Sequence, residues 1–420
     1  MSAPTTRRRR SALRAGDAAL LGIVASDFFG ALAGATIHLT MVWWVLSQGL
    51  SDATVSLMVL CIFAPLNAGV LLTGPAVARF GSRRLLVVSK SIALLGAVSC
   101  FAVYASGRMT PGLLAIIAIV TYGAMAPSMA ADLARVPALT RLAHRRLASF
   151  HAANSAAFVV GQVIGFGLAG QLAVHGSSAM AVAIGVVLVA VSLAITWVTF
   201  PTDRSHRRSR TGAVNLLRAQ TRAVLTRLRG TSVDVAHVLA AALIISTAQG
   251  CIEVALPLAI RLAGLPTSAL SAALTVAVVS GVFATLIAQA VQPRVVLGPG
   301  LMAIAVGLLL ALLLAHAMPT ISGVFIAVAA TAAAASAAGV LTVTSLQQSM
   351  PTALQAQAIG LWHFLILGVG LLTIIATGQI GRFAFSLYAL LSAAGIALAW
   401  YAQRRGATAS IPQTYDSRHS

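Results

Sequence analysis

The chemistry open to this sequence begins with two carboxyls. The 420-residue chain has eight Asp and Glu residues, and Asp27 and Glu253 are the two that fall in the middle of long apolar stretches. A charge at the centre of a spanning helix costs about 2.5 to 3.5 kcal/mol on insertion scales, so such a residue faces a cavity or a partner. A carboxyl in a medium of low dielectric takes up and releases its proton nearer to neutral pH than one in water. Asp27 and Glu253 are therefore candidates for proton coupling. The competing reading is a hydrogen-bonded carboxyl that only joins two helices.

His38 follows Asp27 by eleven residues, which is about three helical turns or ~16 Å along an axis, so both project from nearly one face. They could line one pathway; the alternative for His38 is an ordinary polar residue near the outer interface. Gln249 stands one turn before Glu253 and is placed to hydrogen-bond its carboxyl or a substrate. Asn67, Asn154, Gln162 and Gln289 are further polar groups inside apolar stretches, each either facing a substrate cavity or tying helix to helix.

Composition dictates what carries these groups. Hydrophobic residues make up 59% of the chain, charged residues 9%, and mean hydropathy is +0.94, whereas soluble domains are about a quarter charged. A spanning helix needs about 20 mostly apolar residues. Such stretches fall at 18–46, 55–77, 85–105, 112–131, 149–173, 179–200, 237–260, 269–291, 299–316, 321–344, 358–377 and 384–402. This predicts an all-α membrane protein with twelve transmembrane helices. Cys61, Cys100 and Cys251 all lie within predicted spans and read as small packing residues, so neither a disulfide framework nor a metal cluster is expected. With no H-E-x-x-H and no G-x-S-x-G in a usable context, an enzyme, a cofactor and a bound metal are not expected.

The net charge of +20 would suit nucleic acid only if it were gathered on a solvated domain, and the sequence has none. It is segregated by side instead. With the N-terminus inside, one side receives Arg7 to Arg10, Arg14, Arg79, Arg83, Arg84, Lys90, Arg135, Arg141, Arg145, Arg146, the run from Arg204 to Arg229, Arg294, Arg404, Arg405 and Arg418. The opposite side receives Arg108, Arg261 and Arg382. The positive-inside rule then puts both termini in the cytoplasm of a multi-pass inner (plasma) membrane protein. The basic run before the first apolar stretch is similar to an export signal, but that stretch is too long for one and more follow, so it reads as a retained anchor.

The longest polar interruption divides the chain into a basic N-terminus (1–17), six spans (18–200), a basic central linker (201–236), six more spans (237–402) and a tail (403–420). Two pseudo-symmetric six-helix bundles would place a substrate site between them, with Asp27 and Glu253 on the first helix of each. Val214, Leu217, Val224 and Leu228 alternate with Arg218, Arg222, Arg227 and Arg229, which reads either as an amphipathic helix on the inner leaflet or as a solvated linker. Gly30 with Gly34, Gly161 with Gly165, and the run from Ala332 to Gly339 suit close helix packing. Trp43 and Trp44 suit an aromatic belt, and Trp362 and His363 read as gate residues or interfacial anchors.

The loop between the second and third spans reads Gly74-Pro-Ala-Val-Ala78-Arg79-Phe-Gly81-Ser-Arg83-Arg84. Glycines permit the tight turn, and arginines can pair with acids and helix C-termini. The segment resembles the G-x-x-x-D-R-x-G-R-R pattern of the major facilitator superfamily, with Ala78 where that family carries aspartate and Ser82 as a second departure. The resemblance implies the major facilitator fold and a cytoplasmic gate of Gly74, Arg79, Gly81, Arg83 and Arg84, with a weaker or differently built charge latch. It also makes Asp132 a partner for Arg79 or Arg83, the alternative being a pair with Arg135. Gly161-x-x-x-Gly165-Phe166-Gly167-x-x-Gly170 looks like an exporter motif that normally has proline at Phe166. Leu346-Gln347-Gln348-Ser-Met-Pro351-x-x-Leu354, Gly360-Leu361-Trp362, Pro137-Ala-Leu139 and Arg146-Leu147 are similar to the enterobactin-exporter-like, drug efflux branch. That likeness implies proton-driven efflux of siderophores or hydrophobic molecules.

The expected function is a proton-coupled exporter of a small hydrophobic or amphipathic molecule, a monomer whose partners are its substrate, protons and membrane lipids, with no nucleic acid. Few intramembrane charges favour an apolar, zwitterionic or weakly cationic solute. A nutrient importer on the same fold is the alternative, and a membrane enzyme or receptor is the alternative of another class.

Overall fold

In lipid, a backbone this apolar satisfies its polar groups by folding into helices. The structure, a computed structural model, describes residues 4–126, 131, 136–143, 147–175, 177–200, 213–229, 233–291, 296–318, 321–380 and 384–409. Its elements are α1 (Pro4–Ser47), α2 (Asp52–Val70), α3 (Thr73–Phe80), α4 (Ser82–Ala105), α5 (Pro111–Met125), α6 (Val136–Leu142), α7 (Leu147–Val174) and α8 (Ser178–Thr199). After these come α9 (Ala213–Arg229), α10 (Val235–Gly250), a π turn (Cys251–Ala255), α11 (Leu256–Leu262), α12 (Thr267–Val291), α13 (Leu297–Ala317), α14 (Ile321–Ser349), α15 (Thr352–Ile380) and α16 (Ala384–Ala409). Among the described residues, 10 helical runs are long and apolar enough to cross a membrane, and Pro111–Met125 is a shorter apolar helix.

Local chemistry fixes the ends. Ser51 accepts the Thr54 N–H at 3.3 Å to start α2, and Thr110 accepts the Leu113 N–H at 3.3 Å ahead of Pro111 to start α5, both ordinary N-caps. Gly81 both ends α3 and opens α4 at φ 80°, a left-handed conformation that favours glycine. The expected second span, 55–77, is thus split: α2 stops at Val70 and α3 forms a separate short helix before Gly81. The first helix runs from Pro4 through the basic N-terminal segment to Ser47 without a break.

Pro257 explains the π turn. It lacks the N–H that would bond the carbonyl of Glu253, and its ring crowds that carbonyl. The backbone widens upstream, with the Leu256 N–H donating to the carbonyl of Cys251, five residues back.

Helix pairing repeats along the chain. In the first half α1 packs on α7 and α8, α4 on α8 and α5, and α2 on α5; in the second half α10 packs on α15 and α16, α13 on α16 and α14, and α12 on α14. The halves meet through two matching contacts, α7 on α12 and α15 on α2. Lipid gives no hydrophobic drive to such contacts, so close backbone approach carries them. A Cβ at Gly165 would lie 2.6 Å from the Leu32 carbonyl oxygen and 2.8 Å from the Ala35 Cβ, and one at Gly161 would lie 2.5 Å from the Phe28 carbonyl oxygen. Gly165→Val should therefore destabilise the protein by about 1 to 3 kcal/mol, read as a lower Tm in detergent. Gly167→Val, two residues on and with nothing within 4 Å of its added Cβ, should leave Tm near wild type.

Candidate functional site

Asp27 occupies the middle of α1, where three other helices converge. Asn154 of α7 donates from Nδ2 to Asp27 Oδ2 at 3.0 Å. Lys90 of α4 lines the same small cavity as Asp27, together with Ser26 of α1 and Thr196 of α8. Lys90 Nζ donates to Ser26 Oγ, to Ser192 Oγ at 3.0 Å and to Thr196 Oγ1 at 3.0 Å. Sequence reasoning assigned Lys90 to the basic inner flank. The structure corrects this: Lys90 stands two turns inside α4, turned towards α1 and α8. The signal was present, because Lys90 lies within the 85–105 apolar stretch as a lone cation.

Glu253 sits on the π turn and meets His38 across the boundary between the halves. His38 Nε2 and Glu253 Oε2 are 2.8 Å apart, with 17% and 24% of the respective side chains exposed. When the carboxylate is ionised it only accepts, so Nε2 carries the proton and donates. His38 is thus not a solitary interfacial residue. His38 lies nine residues before Ser47, the end of α1, and Glu253 nine residues before Leu262, the end of α11. His38 and Glu253 thus stand at the same distance from the ends of their helices. The residue as far from Leu262 as Asp27 is from Ser47 is the buried Ala242, so Asp27 has no acidic counterpart.

The other candidates separate by surroundings. Asn67 is buried and, with its amide nitrogen toward the Phe364 carbonyl (2.9 Å) and its oxygen toward the Gly368 N–H (3.2 Å), ties α2 to α15. Gln249 packs over Gly370 of α15, where a Cβ would collide with its Oε1. Gln249 Oε1, Gln289 Nε2 and Asn154 Oδ1 are buried polar atoms without a hydrogen-bond partner, whereas Gln162 is half-buried on α7. Trp362, expected as a gate residue or interfacial anchor, is instead 1% exposed in the core. His363 donates from Nδ1 to the Ile359 carbonyl at 2.9 Å within its own helix.

The end that carries Gly81 holds the expected gate residues. A Cβ at Gly74 would collide with Oε1 of Gln357, from α15, and of Gln220, from α9. Gln357 Nε2 donates to Thr221 Oγ1 at 3.2 Å, so α9 is a helix that packs on both halves rather than a solvated linker. Arg83 donates from Nη2 to the Trp197 carbonyl at 2.7 Å, at the C-terminus of α8, where a cation is favoured. Arg79 lies by the ring of Phe80, and both Arg79 and Arg84 are exposed. Asp132 lies outside the described residues. At the opposite end, Arg261 donates from Nη1 to the Leu50 carbonyl at 2.7 Å, a second link between the halves. Arg261, Gln357 and Thr221 were not singled out from the sequence, since only their distant partners give them meaning.

The His38–Glu253 contact should appear as an energetic coupling. In a double-mutant cycle of His38→Ala and Glu253→Gln, followed by thermal unfolding near neutral pH, the two changes should be non-additive by about 0.5 to 3 kcal/mol.

Comparison with known proteins places this geometry. No curated protein sequence matches the chain. Two similar solved structures are a mutant form of the nucleoside transporter NupG and a D-xylose-proton symporter. The first is 14% identical with a TM-score of 0.61, over 92% of this chain and 99% of that one. The second is 15% identical with a TM-score of 0.66, over 92% of this chain and 96% of that one. These likenesses show the fold. The family model described as Major Facilitator Superfamily matches residues 23–373, and the chain belongs to that family of membrane transporters.

Proposed function

We propose that the chain is a proton-coupled secondary transporter of twelve spans, arranged as two six-helix bundles that rock about a central site. In this reading the Gly81 end, rich in arginine, faces the cytoplasm of the cell's inner membrane together with both termini. The observation that carries the coupling is the His38–Glu253 contact, 2.8 Å long and made between the two halves. While Glu253 is ionised, its attraction for His38 holds α1 against the π turn. A proton taken by His38 makes the pair an ion pair and tightens it, and a proton that then reaches Glu253 removes the carboxylate charge and weakens the grip. A solute donor that takes the carboxylate competes with His38 in the same way. The far end then opens when Glu253 is occupied, which links proton movement to access. Asp27 is a second protonatable carboxyl, held within the first half.

The transported molecule is small and hydrophobic or amphipathic, such as a drug, siderophore or secondary metabolite. The unpartnered acceptors Asn154 Oδ1 and Gln249 Oε1 and the unpartnered donor Gln289 Nε2 favour a largely uncharged solute that brings a few hydrogen-bonding groups. Export is the favoured direction, on the glycine pattern of α7. Import is the second reading, favoured by the two structural neighbours named for nucleoside transport and D-xylose–proton symport. One proton crossing 100 mV supplies about 2.3 kcal/mol in either direction.

Proteoliposomes with a controlled pH gradient and a panel of hydrophobic dyes and siderophores test the reading. Wild-type protein should concentrate at least one solute, a protonophore should abolish that concentration, and the sign of the effective gradient should give the direction. Glu253→Gln should lose gradient-driven accumulation yet still equilibrate the same solute down its own gradient. Accumulation by Glu253→Gln equal to wild type would remove Glu253 from the coupling step.

A further inference from the structure

The hydroxyl cluster around Lys90 is more specialised than a patch of polar packing. Each of its three hydroxyls has a backbone carbonyl to donate to, and Ser26 Oγ also lies 2.7 Å from Thr196 Oγ1 and 3.1 Å from Ser192 Oγ. Ser26 Oγ donates to the Ser192 carbonyl at 3.1 Å, Ser192 Oγ to the Ser26 carbonyl at 2.8 Å, and Thr196 Oγ1 to the Ser192 carbonyl at 2.9 Å. What the cluster offers inward is therefore lone pairs. An ammonium has three N–H donors and no acceptor, and Lys90 Nζ points at these three oxygens. A neutral amine would bring a lone pair of its own, which the same three oxygens cannot satisfy. The cage thus selects the charged form of Lys90, inside a bundle where an uncompensated charge is costly. The anion placed to compensate it is Asp27, which follows Ser26 and lines the same cavity.

We propose that Lys90 is the fixed counter-ion of Asp27: an ammonium held by the Ser26, Ser192 and Thr196 hydroxyls that competes with the proton for the Asp27 carboxylate. This rests on the reading of the chain as a proton-coupled transporter and assigns a positioning residue to it. Lys90 keeps its three protons throughout. A proton from water bonds to an Asp27 oxygen when the carboxyl loads and returns to water when it unloads, while Asn154 donates to the same carboxyl in its ionised form. Among the described residues, other ionisable groups of the helices around α1 are the following. Arg83 of α4 bonds the Trp197 carbonyl, Arg141 of α6 is exposed, Asp17 is nearly three turns away on α1, and Arg261 of α11 bonds Leu50 at the other end. The one ionisable residue of α7 in sequence is His151, whose side chain is outside those described, and α8 has none.

Labelling with N,N′-dicyclohexylcarbodiimide, which modifies protonated carboxyls in apolar surroundings, reads this without a transported solute. The full-length protein in liposomes is labelled across pH and the modification of Asp27 and of Glu253 is quantified separately by peptide mass spectrometry. Lys90→Gln should move the midpoint of Asp27 labelling to higher pH by about 1 to 3 units, Lys90→Arg should stay near wild type, and the Glu253 midpoint should not move in either. Thr196→Val, which removes one oxygen of the cage and nearly preserves shape, should give a smaller shift in the same direction. This serves as the test should Lys90→Gln fail to fold. An unmoved Asp27 midpoint in a monodisperse Lys90→Gln or Thr196→Val protein overturns the proposal. Loss of proton-driven transport from the wild type itself would overturn the coupling reading instead, and would leave the labelling result to stand alone.

Discussion

Inside a bilayer a polar atom has no water to fall back on, and the arrangement of this protein follows from where each such atom finds its partner. Backbone groups are satisfied mainly within helices, so what ties helix to helix through hydrogen bonds is a polar side chain, often one that bonds a backbone carbonyl of its neighbour. The few polar side chains therefore mark contacts of consequence. Most of these stay within one half of the chain, as with Asn154 on Asp27 and Lys90 on its three hydroxyls. A smaller set crosses between the halves: His38 to Glu253, Arg261 to the Leu50 carbonyl, Ser271 to the Phe166 carbonyl at 3.0 Å, and Asn67 to α15. Of these, only the His38–Glu253 pair has two titratable partners.

The π turn gives that pair its geometry. Pro257 forbids the regular helix one turn after Glu253, and the widened backbone carries Glu253 into reach of α1. His38 on α1 and Glu253 on the π turn after α10 belong to different halves, so their contact lies at the boundary. Asp27, deeper in α1 and bonded within its own half, has different neighbours from Glu253. Two carboxyls that look alike in sequence are thus separated by their surroundings.

Much of this was legible in the sequence. Long apolar runs fix the helices, and Gly161 and Gly165 mark the close approach of α7 to α1, because each depends on local composition and spacing. Asp27 and Glu253 were found because a lone acid in an apolar run is costly whatever surrounds it. What was not legible depends on contacts between distant segments. His38 and Glu253 are far apart in sequence, and nothing local distinguishes His38 from an interfacial histidine. Lys90 was read with its basic neighbours Arg83 and Arg84, though it lies inside the helix. The tight turn at Gly81 was legible in its glycines, but the neighbours of that turn were not. At that end Gln357 bonds Thr221 of α9, and the burial of Val224 and Leu228 in α9 depends on the helices it packs on.

The central claim is that protonation at Glu253 governs how the two halves meet at the far end. It is tested most directly by a distance across that end, measured between spin labels at Gln48 and Ser268, both exposed, in protein whose three cysteines have been replaced. Acidification far enough to protonate Glu253 as well as His38 should shift the population from a short to a longer distance, and Glu253→Gln should favour the longer distance at every pH. A single distance unchanged by pH and by Glu253→Gln would contradict the account.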